Sequence, residues 1–182
     1  MARYFIGLMA PPAVQAQLAD FTAAIQASLP AAHDFKVSWT APEDLHCTLL
    51  FVGHIDDEQH LAHEMHRVAS QLESITVTIH GKTHWLGRNS LVLAATGAEQ
   101  AGTTFVEELG HLSSDRWTGR RPFYGHVSLG RIRPVPIKGN DIFAGHAVEP
   151  ITWTADRVHL VKSRDGHTSS RYQSVAQARF GG

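Results

Sequence analysis

Cysteine is almost absent: Cys47 is the only one in 182 residues. A lone thiol excludes an internal disulfide and any cysteine-based zinc finger, and it fits a reducing compartment. Long apolar runs are missing as well. No stretch approaches the roughly 20 apolar residues that span a bilayer, and Met1 to Met9 alternates like a strand instead of forming the apolar block of a signal peptide. These absences predict a cytoplasmic protein with no membrane association. There is no low-complexity tract, short-period repeat or obvious linker, so residues 1–182 are expected to form one domain. Net charge is nearly absent too, at −1, which excludes a polycationic coat for long nucleic acid.

What is present is ordinary globular composition, 43% hydrophobic and 18% charged, which argues against long disorder. The small net charge hides an asymmetry. Residues 1–91 hold 5 basic against 9 acidic side chains, and residues 92–182 hold 11 against 8, so an anionic ligand should draw most of its cationic partners from the second half.

The apolar spacing predicts a strand over Arg3 to Leu8 and a helix entered through Pro11-Pro12 and ended by Pro30. Further strands are expected at Lys36 to Thr40 and His46 to Val52. Asp56 and Asp57 offer an N-cap to a helix from Glu58 to Leu72. Strands at Ile75 to Ile79, Thr83 to Leu86 and Leu91 to Ala95 follow, the last two flanking a Gly-Arg-Asn-Ser turn. A helix over Ala101 to Leu112, a strand over Gly125 to Ile132 and a hairpin of Arg157 to Lys162 with Arg171 to Arg179 around Asp165-Gly166 complete the pattern. This order predicts an α+β fold built from two rough copies of one unit: two pseudo-symmetric lobes, each an antiparallel sheet with helices on its outer face, around a central cleft.

Thirteen histidines say little by number. Four precede a hydroxyl residue by two positions, and two of those continue with leucine: His46-Cys47-Thr48-Leu49 and His126-Val127-Ser128-Leu129. In a strand, alternate side chains share a face, so each histidine accompanies its hydroxyl while Cys47, Leu49, Val127 and Leu129 point the other way. An apolar face packed on helices and a His-plus-hydroxyl face lining a groove is what a catalytic cleft requires. Two imidazoles with an ordinary pKa near 6.5 supply one base and one acid near pH 7 without a metal.

With these motifs the sequence resembles the 2H phosphoesterase superfamily, and within it the bacterial and archaeal RNA 2′,3′-cyclic phosphodiesterases once called 2′-5′ RNA ligases. The resemblance extends to Arg3-Tyr4-Phe5-Ile6-Gly7-Leu8, Trp39, Pro42-Glu43-Asp44-Leu45, Leu50-Phe51-Val52-Gly53, Arg131, Trp153, Val158 to Ser163 and Tyr172. Ser128 stands where threonine is commoner and keeps the hydroxyl. The resemblance implies metal-independent hydrolysis of RNA or nucleoside 2′,3′-cyclic phosphates to the 2′-phosphomonoester, with no cofactor. It assigns His126 as the base that activates water and His46 as the acid on the leaving O3′. Thr48 and Ser128 would donate hydrogen bonds to phosphoryl oxygens, and Arg131 would bind phosphate. The implied partners are RNA 3′ ends or nucleotides bearing the cyclic phosphate, with no obligate protein partner and a monomeric state.

Strict alternation puts Arg131 on the face opposite His126, so a phosphate role requires an irregular strand, and Gly130 is the expected site of a bulge. Phe5, Trp39, Phe123 and Tyr172 could each stack on a base or fill the core; Trp39, leading into the first motif, is the candidate substrate-binding residue. A rival zinc site at His60, His63 and His66 has poor helical spacing, one residue short of the zincin pattern. Two further rivals are an RNA-end binding module without turnover, and 2′-5′ ligation as the reverse reaction.

Overall fold

A computed structural model describes residues 2–30, 36–114, 122–133, 142–164 and 170–181. In chain order the strands are β1 (Tyr4–Met9), β2 (Lys36–Trp39), β3 (His46–Gly53), β4 (Ile75–Leu86), β5 (Ser90–Thr96), β6 (His126–Arg133), β7 (Ala147–Ala155), β8 (Arg157–Ser163) and β9 (Tyr172–Arg179). The helices are α1 (Pro12–Ser28), α2 (Glu58–Ala69) and α3 (Glu99–Leu109). Their starts follow local chemistry. Pro12 opens α1 where its missing N–H costs nothing. The Asp57 carboxylate caps α2 by accepting from the His60 backbone N–H at 2.8 Å. Gly87, at φ 65°, makes the turn between β4 and β5.

All strand pairings are antiparallel, in the order β7-β4-β5-β6-β3-β1-β8-β9, with β2 added along β6. The sheet has two matching halves: β3-β1-β8-β9 and β6-β5-β4-β7. They join through a single pairing, Cys47 opposite Val127. The two expected lobes are thus continuous through one backbone bridge. Each half draws on both ends of the chain, since β1 lies beside β8, and β2 crosses over to extend β6.

One large buried cluster unites the halves, including Ile6, Leu8, Leu50, Val52 and Leu160 from one, and Val77, Ile79, Leu93, Val127 and Leu129 from the other. Met65 of α2 and Phe105 of α3 close over it. A smaller cluster of Ile25, Leu91, Ile132 and Phe143 secures α1. Every side chain in these clusters removes apolar surface from water, at about 25 cal/mol per Å².

The sequence reading missed β7, whose Pro150 and alternating exposed residues obscure a strand. It lies at the edge of the sheet, where a residue without an N–H is tolerated, and its pairing with β4 slips beside that proline. The expected strands Ile75 to Ile79 and Thr83 to Leu86 are one continuous strand with an irregularity between His80 and His84. The turn of the C-terminal hairpin, Asp165-Gly166, lies outside the described residues, as does the His167-Thr168-Ser169 motif; β8 and β9 themselves pair as expected.

Candidate active site

The bridge between the halves fixes the centre of the cleft. With Cys47 opposite Val127, antiparallel register sets His46 across from Ser128 and Thr48 across from His126. The bridging residues are themselves fully buried. Their neighbours face the other way, so two imidazoles and two hydroxyls gather on one side of the joint. Burial also pushes the Cys47 thiol up to about 11, which makes it an inert packing residue.

Each ring is held the same way. His46 Nδ1 lies 2.6 Å from the Asp44 carbonyl oxygen, and His126 Nδ1 lies 2.9 Å from the Tyr124 carbonyl oxygen. A carbonyl only accepts, so each Nδ1 carries a proton and each Nε2 is left to exchange one with a ligand. His46 is stacked on Phe5, centroids 4.4 Å apart, and meets the edge of Tyr172 at 5.3 Å. His126 stacks on Tyr124 at 5.9 Å, and the Tyr124 hydroxyl bonds to His84 Nε2 at 2.7 Å.

Both imidazoles depart from the ordinary value. Burial pushes His46 down to about 4, opposed by its bond to the Asp44 carbonyl and by the Asp44 charge, and aided by His126. Burial also lowers His126, opposed by the Tyr124 carbonyl and aided by His84. Burial in the cleft thus favours the neutral form of both rings.

The surroundings differ more than the rings. The Asp44 carboxylate is buried and accepts from the Ser170 hydroxyl and the Arg171 backbone N–H, each at 2.7 Å. Asp44 thus favours the protonated form of His46, while each imidazole has a histidine that disfavours it, His126 for His46 and His84 for His126.

The strand irregularity expected at Gly130 is present. Between Ser128 and Gly130, β6 advances two residues while β5 advances one, leaving Leu129 as the extra residue. The consequence is visible in exposure: Leu129 and Gly130 are both inward, and Arg131 emerges on the cleft side. The first half carries the same bulge. Leu50 to Thr48 on β3 faces Ile6 to Gly7 on β1, so Leu49 is extra and Phe51 emerges, 52% exposed. Glycine is therefore not what makes the bulge. Gly130 serves a close approach: a Cβ there would stand 3.1 Å from the Ser38 carbonyl oxygen and 3.2 Å from the Trp39 ring.

The cleft above the bridge is lined by Trp39, His46, Thr48, Ser128, Arg131 and Tyr172, among others. All but one of the sequence-selected site residues meet there. His126 lies on the other side of Thr48, on an apolar pocket with Leu86, Phe123 and Tyr124. Trp39 is half-buried, packed on both clusters while reaching the cleft. Phe5 is buried, and Phe123 covers Gly102 of α3, where a Cβ would collide with its ring. The sequence reading missed the roles of Asp44, Tyr124 and His84 beside the rings. The bonds to carbonyls two residues before each histidine leave no signature in side-chain identity.

Among the described residues, no three His, Cys, Asp or Glu side chains come together as a metal-binding group, and His66 Nδ1 is bonded to the Ala62 carbonyl oxygen. No helix among those residues is long and apolar enough to cross a membrane.

A pseudo-symmetric antiparallel sheet with a histidine and a hydroxyl from each half at its joint is the architecture that the resemblance to the 2H phosphoesterases implied. Residues 10–90 match the family described as LigT like Phosphoesterase. An RNA 2′,3′-cyclic phosphodiesterase of Thermotoga maritima is 24% identical over 153 residues, 81% of this chain and 82% of that one. A crystal structure from Thermus thermophilus superposes with a TM-score of 0.70 at 20% identity, covering 99% of this chain and 98% of the other. E. coli LigT complexed with 3′-AMP gives 0.69 at 18% identity, covering 98% and 96%. The family match thus covers residues 10–90, and the whole chain shares the fold of the solved LigT structures.

Proposed function

We propose that this protein is an RNA 2′,3′-cyclic phosphodiesterase that hydrolyses the cyclic phosphate to a 2′-phosphomonoester without a metal. The activity named for the Thermotoga maritima relative supports the substrate class. The observation that carries the mechanism is the register of the joint: one pairing, Cys47 with Val127, sets two imidazoles with free Nε2 atoms beside two hydroxyls.

His126 is the base. Its Nε2 takes a proton from water, the water oxygen bonds to phosphorus, and the P–O3′ bond breaks opposite it. His46 is the acid, and its Nε2–H protonates O3′ as that bond breaks. The buried Asp44 carboxylate supports this polarity by favouring imidazolium at His46, against the burial that pushes that ring down to about 4. The anionic substrate supplies the remaining attraction for the proton on His46. Thr48 and Ser128 donate to the phosphoryl oxygens, and Arg131 balances their charge. Each turnover leaves His126 protonated and His46 neutral, so the pair resets through solvent.

Adenosine 2′,3′-cyclic phosphate with excess chelator, resolved by chromatography, tests the reading. The expected product is 2′-AMP alone, at an unchanged rate with chelator. Either His46→Ala or His126→Ala should lower kcat by about 10²–10⁴-fold. Exclusive 3′-AMP would reverse the polarity, and stoichiometric binding without product would leave the non-catalytic RNA-end module. Ligation through a 2′-5′ bond is the same chemistry reversed and is a side activity in water.

A further inference from the structure

Next to the cleft lies a groove whose Lys36 and Arg133 have no part in the hydrolysis of a cyclic phosphate. Lys36, Ser38, Arg131, Arg133 and Arg171 line a cavity of about 200 Å³. It shares Ser38, Arg131 and Arg171 with the catalytic cleft, so the two are continuous. Four cations and one hydroxyl face it, and among the described residues no acidic side chain lines it. In a protein of net charge −1 this is a local concentration of one sign.

The pairing of β2 with β6 shows how the cluster is built. Lys36 stands directly opposite Arg133, and Ser38 opposite Arg131. Directly opposed residues share a face, and like charges in that position destabilise a sheet. Neither cation forms an ion pair with a carboxylate among the described residues. The fold therefore holds two exposed positive charges against each other beside its active site, an arrangement that an anion between them would relieve. Arg131 and Arg133 are one two-residue step apart along β6, about 6.6 Å of strand. That step is of the same order as the spacing of successive phosphates in a nucleic-acid strand.

We propose that Lys36 and Arg133, with Arg171 beside them, bind the phosphate on the 5′ side of the nucleotide that carries the cyclic phosphate, so that the substrate is an RNA chain end and not a free nucleotide. The proposal rests on the hydrolytic reading above and names the substrate class of that site. Arg131 stands at the boundary between the two phosphates. The cations of the groove suit the phosphate backbone, whose contacts position a strand without reading its sequence.

The test compares adenosine 2′,3′-cyclic phosphate, its 5′-phosphorylated form, and the dinucleotide ApA ending in a 2′,3′-cyclic phosphate. Wild-type kcat/KM should rise at least about tenfold from the first to the last. The double variant Lys36→Gln/Arg133→Gln should lose that gain while turning over the bare nucleoside cyclic phosphate as before. For the dinucleotide, the slope of log kcat/KM against log salt should flatten by about 1. Thermal unfolding of the variant should be unchanged or shifted upward, because a like-charge pair has been removed. Equal gain in wild type and variant, an equal loss on all three substrates, or a gain confined to the 5′-phosphorylated mononucleotide would overturn the proposal. If wild type turns over none of the three, the hydrolytic reading fails instead. Titration of a fluorescent dinucleotide 3′-phosphate would then still test the groove, with weaker binding by the variant expected and equal binding overturning it.

Discussion

The two halves of the sheet share a backbone and differ in chemistry. Each supplies a strand with His, hydroxyl and then a bulged leucine, and each ties its histidine Nδ1 to a carbonyl two residues back. Beyond that the copies part. The first surrounds its histidine with Phe5, Tyr172 and the buried Asp44, and ends the motif in an exposed Phe51. The second stacks its histidine on Tyr124 near His84, and ends the motif in Arg131. On the proposed mechanism, the symmetric frame places two like groups around one phosphorus, and the asymmetric neighbours set which gives a proton and which takes one.

The largest effects come from deleting one member of the pair. If the histidines act on one transition state, His46→Ala/His126→Ala should be scarcely slower than either single variant, because groups that act as a unit do not add. Additive losses, measured by single-turnover kinetics, would mean that the halves work separately. Next comes the position where the copies diverge: Arg131→Gln should cost about 10–100-fold in kcat/KM, the value of a charge-assisted bond to phosphate. Phe51→Gln, at the matching site, should cost much less, and equal losses would erase the distinction.

Asp44→Asn sharpens the proton asymmetry. Removing the carboxylate beside His46 weakens its hold on a proton, so the alkaline limb of the kcat profile should move to lower pH, with kcat down about tenfold. A shift of the acid limb alone would exchange the two roles. The last effect is on stability. The folded His46 value, about 4, lies below the ordinary 6.5, so the unfolded chain binds more protons between those limits. Stability is complete above about pH 6.5 and falls as pH drops toward 4, by about 3 kcal/mol at most. Urea unfolding across that window should show the loss in wild type and less of it in His46→Gln.

Much of this was legible because each signal was local. The motif strands alternate cleanly, Asp57 announces α2, and the glycine turn separates β4 from β5. The bulge was legible from the conflict between alternation and a cleft-facing Arg131, although its cause was misassigned to Gly130. What remained hidden depends on residues far apart in the chain. Asp44 acts through Ser170 and Arg171, more than a hundred positions away, and the depressed His46 comes from Phe5 and Tyr172 closing around it. The strand β7 was hidden for a local reason, its edge proline. The groove needed the β2 and β6 register, which no spacing in the sequence supplies.

The Cys47 and Val127 bridge has one more implication. His46 and His126 each adjoin it, while Phe51 and Arg131 each stand four residues beyond it. On the proposed function, substrate preference is then set at the edges of the joint and bond breaking at its centre.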